Sequence, residues 1–147
     1  MLEQQGQVPL CQQDKMEALI NGKNLGISTK VSVEICRFLR NKKTDAAKKI
    51  LQRVIEKKQA IPYLRYKKEI PHRKGKMATG RYPLKASKTI LDLIKSVESN
   101  AHDKGMSSDL IIDHISAHKG STQSRYGRKV GKKAKRTHIK IIVKEKK

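Results

Sequence analysis

Apolar and polar positions repeat with two different periods along this chain, and the change of period marks its elements. Val31, Ile35, Phe38 and Leu39 fall at i, i+4, i+7 and i+8, one face of a helix over about Lys30 to Arg40. Ser28 or Thr29 stands where a cap belongs, and Asn41 stands where the helix should stop. Ala47, Ile50, Leu51, Val54 and Ile55 form the stripe of a second helix. Thr44 is placed to cap it, and Asp45 suits the positive end of its dipole. The linker between the two is short, so they are expected to pack as close neighbours. Pro83 suits the first turn of a third helix. Leu84, Ser87, Ile90, Leu91, Ile94, Val97 and Ala101 form its buried side, and Gly105 is its stop.

Period two appears near the end of the chain. Ile139, Ile141 and Val143 alternate with His138, Lys140, Ile142 and Lys144, a half-buried strand. Leu110 to Ala117 reads as its partner, so 110–144 is expected to be an extended hairpin with a tip at about 118–136. Glu17 to Ile20 reads as a short strand, with Asn21, Gly22 and Gly26 punctuating a loop. The chain length suits one domain at 16–147, preceded by a polar, Gln-rich extension at 1–15 expected to be loosely ordered.

Two stretches carry neither period, and both are basic. The first runs over 59–82. From residue 62 onward Arg65, Lys67, Lys68, Arg73, Lys74, Lys76 and Arg81 face a single acid, Glu69. The second, HKGSTQSRYGRKVGKKAKR at 118–136, has no acid at all. The whole chain carries 35 Lys+Arg against 13 Asp+Glu, a formal net charge of +22. Such a charge repels itself unless a polyanion neutralises it. Nucleic acid is the first candidate and an anionic membrane surface the second. Tyr63, Tyr66 and Tyr82 lie in or beside the first basic stretch, and Tyr126 lies in the second. Rings among cations suit irregular RNA, where they stack on unpaired bases. The bland alternative is that Tyr63 and Tyr82 close the edge of a small core. With 36% hydrophobic residues, no Trp and one Phe, that core should be aliphatic.

Other chemistry finds little support. No run of about 18 apolar residues is present, so no spanning helix is expected. The first residues lack the pattern of a secretory signal. Cys11 and Cys36 have no metal-type spacing, which fits a reducing, cytoplasmic location, and Cys36 reads as a small core residue. His114 and His118 are four apart on a strand, which separates their rings by about 13 Å, too far for one zinc ion. Gly127 to Lys132 resembles a phosphate loop but is one residue short, and Lys133 stands where Ser or Thr is needed. No nucleophile–base pair or catalytic carboxylate pair is evident, so neither an enzyme, a metal nor a cofactor is expected.

Several stretches carry a family resemblance: SVEICRFLRNKK (32–43), AIPYLRYKK (60–68), HRKGK (72–76), GRYPLKASKTIL (80–91), ESNAHDKG (98–105) and HISAHKG (114–120). Together they resemble a universal large-subunit ribosomal protein family, numbered twenty-two in bacteria and seventeen in eukaryotes. The resemblance covers roughly 16–145 in the same order. The stretch at 60–82 resembles the archaeal and eukaryotic branch. Residues 1–15 have no counterpart in the family, and the tip is shorter and richer in Lys than its usual archaeal form.

The resemblance implies an α+β fold of three helices packed on a small antiparallel sheet, with a long extended β-hairpin. It implies a structural constituent of the large ribosomal subunit that binds rRNA and takes part in translation and subunit assembly. Neighbouring ribosomal proteins would be its partners, with the nascent polypeptide touched transiently and no homo-oligomer. Carried onto this chain, the rRNA contacts are Lys30, Lys42, Lys43, Arg65, His72, Arg73, Lys74 and Lys76. They continue with Arg81, Lys85 and Lys88, and with Lys119, Lys135 and Arg136 on the arm. The hairpin tip, lining the polypeptide exit tunnel, would present Arg125, Tyr126, Arg128, Lys129, Lys132 and Lys133. An arm of about ten residues per strand reaches about 34 Å, and phosphates along both sides would order it only when RNA is present. Two other readings compete. One is a free-standing DNA-binding module using the first two helices as a helix-turn-helix, although they offer few Asn or Gln base readers. The other is an RNA-modifying enzyme, supported by nothing beyond the charge.

Overall fold

The structure, a computed structural model, describes residues 17–145 apart from the side chain of Lys129. The extension expected at 1–15, and Cys11 within it, lie outside the described residues. In chain order the elements are β1 (Glu17–Leu25), α1 (Thr29–Leu39), α2 (Thr44–Ile55), β2 (Ile61–Pro62), β3 (Gly80–Arg81), α3 (Leu84–Asp103), β4 (Leu110–Lys119) and β5 (Thr137–Glu145). A single 3-10 turn, Gly127–Lys129, lies between the last two strands.

The strand with the cleanest alternation is the centre of the sheet. β5 lies between β1 and β4, antiparallel to both. Its Ile139, Ile141 and Val143 are buried on the face that the helices cover. Helix α1 packs chiefly on β4, and α3 on β1 and β5, while α2 packs chiefly on α3. Between them lies an aliphatic core in which Ile35, Leu39, Leu51, Ile90, Ile94, Ile112 and Ile115 are fully buried. The fold is therefore α+β, with three helices on a small antiparallel sheet.

Several expectations need correction. The first two helices are not each other's main neighbours, because their partners lie on different layers, so they do not form the packed pair that a helix-turn-helix requires. β1 does not end at Ile20. It runs through Asn21 and Gly22 to Leu25, with a register shift between Gly22 and Leu25. Gly22 marks a close approach rather than a turn, since a Cβ there would lie 2.9 Å from a Leu93 methyl carbon. Ser28 is the N-cap of α1 by backbone position, yet its side chain makes no capping bond. The N-cap of α2 is Lys43, and Thr44 is its first helical residue. Leu84 is 38% exposed, unlike Ala86 and Ser87 of the same turn, which are buried. Asn41 (φ 61°) and Gly105 (φ 72°) do end their helices in the left-handed conformation.

One buried group joins the first basic stretch to this body. Glu34, on the inner side of α1, is 1% exposed. Its Oε1 accepts the N–H groups of Arg65 (2.8 Å) and Tyr66 (2.7 Å), and Oε2 accepts that of Leu64 (3.2 Å). No ion pair involves Glu34 among the described residues. A buried carboxylate is tolerable only when its oxygens are this well supplied with donors.

Two predictions follow from this packing. Glu34→Ala leaves three loop N–H groups without their acceptor, and should cost about 2–4 kcal/mol of unfolding free energy. Native-state hydrogen exchange should show the amides of residues 64–66 losing protection before those of α3; unchanged protection there would refute the anchor. The second concerns Cys36, which is 3% exposed and whose thiol burial pushes up to about 12 against a nearby Arg40 that lowers it. At pH 8 only about one such thiol in ten thousand is thiolate. In a Cys11→Ser chain, labelling by a maleimide should therefore follow global unfolding and accelerate steeply in urea. Labelling at the rate of an exposed thiol would contradict this burial.

Candidate nucleic-acid interface

The first basic stretch is folded back on itself. β2 and β3 pair as Ile61↔Arg81 and Pro62↔Gly80, and His72 bridges to Thr79. Thr79 ties the return: its carbonyl accepts the Tyr63 N–H at 3.0 Å, and its hydroxyl donates to the Tyr63 carbonyl at 2.7 Å. The Arg73 N–H reaches the Ala78 carbonyl at 3.1 Å, closing the HRKGK turn. Gly75 sits in that turn at φ 112°, a conformation that side chains rarely adopt. The backbone bonds thus turn inward, and His72, Arg73, Lys74, Lys76 and Arg81 are exposed.

Cations already lie over two of the rings in this stretch. Tyr63 is 4% exposed, so for it the bland core-edge reading holds. Burial raises its hydroxyl above the usual range, and that oxygen has no hydrogen-bond partner among the described residues. Lys30 Nζ lies 5.7 Å from the Tyr66 ring centre, and the Arg65 guanidinium lies 5.5 Å from it. Arg73 covers Tyr82 at 5.3 Å. These cation–π contacts pre-order the cations over the rings. Tyr126, 95% exposed, is the tyrosine left open.

The arm proves shorter than expected because β1 pairs with β5 from Lys144 down to Thr137, which places both hairpin strands in the body sheet. What projects is 120–136, at most about 27 Å long for eight residues a side. It is held by Gly120 N–H to Arg136 O (2.9 Å), Ala134 N–H to Gln123 O (2.7 Å) and Arg125 N–H to Lys132 O (3.0 Å). Arg125, Tyr126, Arg128, Lys132 and Lys133 are all exposed; the side chain of Lys129 lies outside the described residues. The phosphate-loop lookalike at 127–132 falls on the 3-10 turn, with no helix after it.

At the base of the arm, Lys85 Nζ and Arg136 Nη1 converge over Gly26, at 3.8 and 3.6 Å from where a Cβ would stand. Lys135 lines the same cleft, between the first turns of α1 and α3. Lys119 and Lys88 are exposed, the latter one helical turn beyond Lys85. Lys42 and Lys43 do not join this group. They lie at the opposite end of α1 from Lys30, where Lys42 covers Phe38 at 5.1 Å and Lys43 pairs with Asp109 at 3.0 Å.

Asp109 belongs to an acidic end of the molecule. β4 and β5 run from the arm, where Lys119 faces Thr137, to the far end, where Leu110 faces Glu145. At that far end Lys144 is shared by Asp113 (2.8 Å) and Glu17 (3.0 Å). Nearby, Lys48 is shared by Asp45 (2.8 Å) and Glu98 (3.0 Å), and its hydrogen bond holds the Asp45 carboxyl below the usual range. The acids thus pair with local lysines there and leave the loop and the arm as unneutralised cation. Sequence reasoning missed Glu34. Its signal was available: a Glu at the position adjoining Ile35 and Cys36 on an apolar helix face.

The comparisons agree with this geometry. The family model described as Ribosomal protein L22p/L17e matches residues 20–144. The protein named large ribosomal subunit protein uL22 in Methanococcus aeolicus is 42% identical over 132 residues, spanning 84% of this chain and 86% of that one. Its namesake in Thermoplasma volcanium is 45% identical over 125 residues, 81% of this chain and 84% of that one. In Nanoarchaeum equitans the figures are 45% over 134 residues, 84% and 76%. A family model that matches most of the chain, and relatives 42–45% identical over most of both chains, show that this chain belongs to the ribosomal protein L22p/L17e family.

Proposed function

We propose that this protein is a non-catalytic structural constituent of the large ribosomal subunit in the cytoplasm, taking part in translation and subunit assembly. The supporting observation is the separation of charge: acids pair at the Leu110–Glu145 end, while among the described residues the cations of the loop at 59–82 and the arm at 120–136 have no acidic partner. Large-subunit rRNA is the polyanion that neutralises them. Lys30 and Arg73, ordered over their rings, contact phosphates, and Arg65 contacts rRNA from the basic loop. Lys85, Lys135 and Arg136 hold the base of the arm. The tip, led by Tyr126 and its arginines, lines the exit tunnel and touches the nascent chain. Lys43, spent on Asp109, contributes least of the cations carried over from the family.

The rRNA reading is tested by co-purification at graded salt. About ten neutralised phosphates give a log–log slope near −7 to −9. The triple change Arg73→Ala, Lys74→Ala, Lys76→Ala should flatten that slope by about 2 to 3. A wild-type slope near zero would sink the reading.

The tunnel reading is tested separately by replacing 122–134 with the two-residue turn Asn-Gly, which keeps Lys135, Arg136 and the pair Lys119↔Thr137. Because the arm shares no core, the shortened chain should keep the wild-type unfolding temperature and still enter the subunit, while tunnel width and nascent-chain stalling change. In the intact protein the tip should be cut rapidly by trypsin when free and protected in the subunit. Unchanged stalling after the replacement would remove the tunnel role and leave the rRNA role standing.

A further inference from the structure

Three arginines outside the loop's outer face and the arm meet around one cleft. Arg37 lies in the last turn of α1 and Arg40 is the residue that caps it, both beyond Val33. Arg65 enters from the basic loop, fixed at its own N–H by Glu34 and at its guanidinium by the Tyr66 ring. Together with Val33, Cys36, Ile115, Ser116 and Ala117 they line a cleft of about 450 Å3 between α1, β4 and the loop.

Its chemistry is divided. The floor is apolar, with Cys36 and Ile115 buried and Val33 and Ala117 half-buried. The rim is cationic, and all three arginines are exposed. Among the described residues none of the three has a carboxylate within 4.0 Å. The nearest acid in sequence, Glu34, is turned inward and its oxygens serve the loop amides. Among the described residues the only protein acceptor that these guanidinium groups reach is the Ile115 carbonyl, at 3.5 Å from Arg40 Nη2. Three like charges around one cleft repel one another, so the cluster gains from an anion. A lone phosphate would leave the apolar floor unused, whereas an unpaired nucleotide uses both parts. Its phosphate takes the bidentate arginine forks and its base lies on the floor, flanked by a guanidinium plane. The volume falls within the roughly 300–1,000 Å3 of sites for small molecules.

We propose that this cleft is a seat for a single extruded RNA nucleotide, with Arg37 and Arg40 holding its phosphate and Arg65 stacking on its base. The proposal rests on the rRNA-binding reading above and adds to it a site that reads a base outside a helix. It is tested on the full chain by following the Nε–Hε signals of Arg37, Arg40 and Arg65 by NMR. The probes are adenosine and uridine 5′-monophosphates, with inorganic phosphate as comparison. All three signals should shift saturably with the nucleotides, at least about tenfold more tightly than with phosphate. The double change Arg37→Lys, Arg40→Lys keeps the charge but loses the forks, and should weaken nucleotide binding about tenfold. Equal affinity for phosphate would make the cleft a plain backbone contact and overturn the proposal. So would silence of the three arginines, or full affinity in the lysine variant. Failure of the rRNA reading is seen separately, as wild-type chain that retains no rRNA at moderate salt.

Discussion

The Glu34 carboxylate accepts three successive backbone N–H groups of the basic loop from inside the core, and the interface depends on how it does so. An acid meant to hold a cationic loop could pair with its side chains. Each such pair would remove a cation from the surface and bring it into a region of low dielectric, where desolvation offsets most of the gain. Binding the amides of residues 64–66 instead satisfies the carboxylate and leaves the loop's basic side chains facing out. The loop is fixed by its backbone and remains unneutralised, which is what a phosphate-binding surface requires.

The same logic acts on the larger scale. The chain has too few acids to neutralise its cations, so where they sit decides which cations stay available. Lys48 and Lys144 each engage two carboxylates at the Leu110–Glu145 end. None of the arginines in the loop or the arm has such a partner among the described residues. Arginine suits phosphate because its planar fork donates two parallel bonds, whereas lysine is a point charge that local acids can hold. Every ion pair among the described residues uses a lysine, while the lysines of the loop and the arm stay unpaired beside the arginines.

Periodic segments were legible in the sequence because burial writes its period into them. The three helices and β5 could be read from Ile35, Leu51, Ile94 and Ile141 and their neighbours. Sequence erred where one residue type serves two physical purposes. Gly22 reads as a turn but serves a close contact with Leu93. Tyr66 and Tyr82 read as stacking rings, and over them lie Lys30, Arg65 and Arg73, long side chains whose direction no local pattern records. Lys42 and Lys43 matched the family's motif, yet the α1–α2 junction places Lys43 against Asp109, 66 residues away in sequence. Contacts across that separation depend on layer packing, which composition and period do not encode.

The position of β5 explains how a small body can carry an arm at all. A two-stranded ribbon alone is marginal in water, and 120–136 has no core of its own. Its register is nevertheless set, because β5 is clamped on one side by β1 and on the other by β4 up to the pair Lys119↔Thr137. A slip by one residue would turn Ile139, Ile141 and Val143 out of the core, so burial in the body fixes which residues face each other at the arm's root. Gly120 N–H then meets Arg136 O, and the arm leaves the sheet along a direction set by the core. Precision of aim comes from the buried strand, and the Ala134 N–H to Gln123 O and Arg125 N–H to Lys132 O bonds carry that direction along the arm.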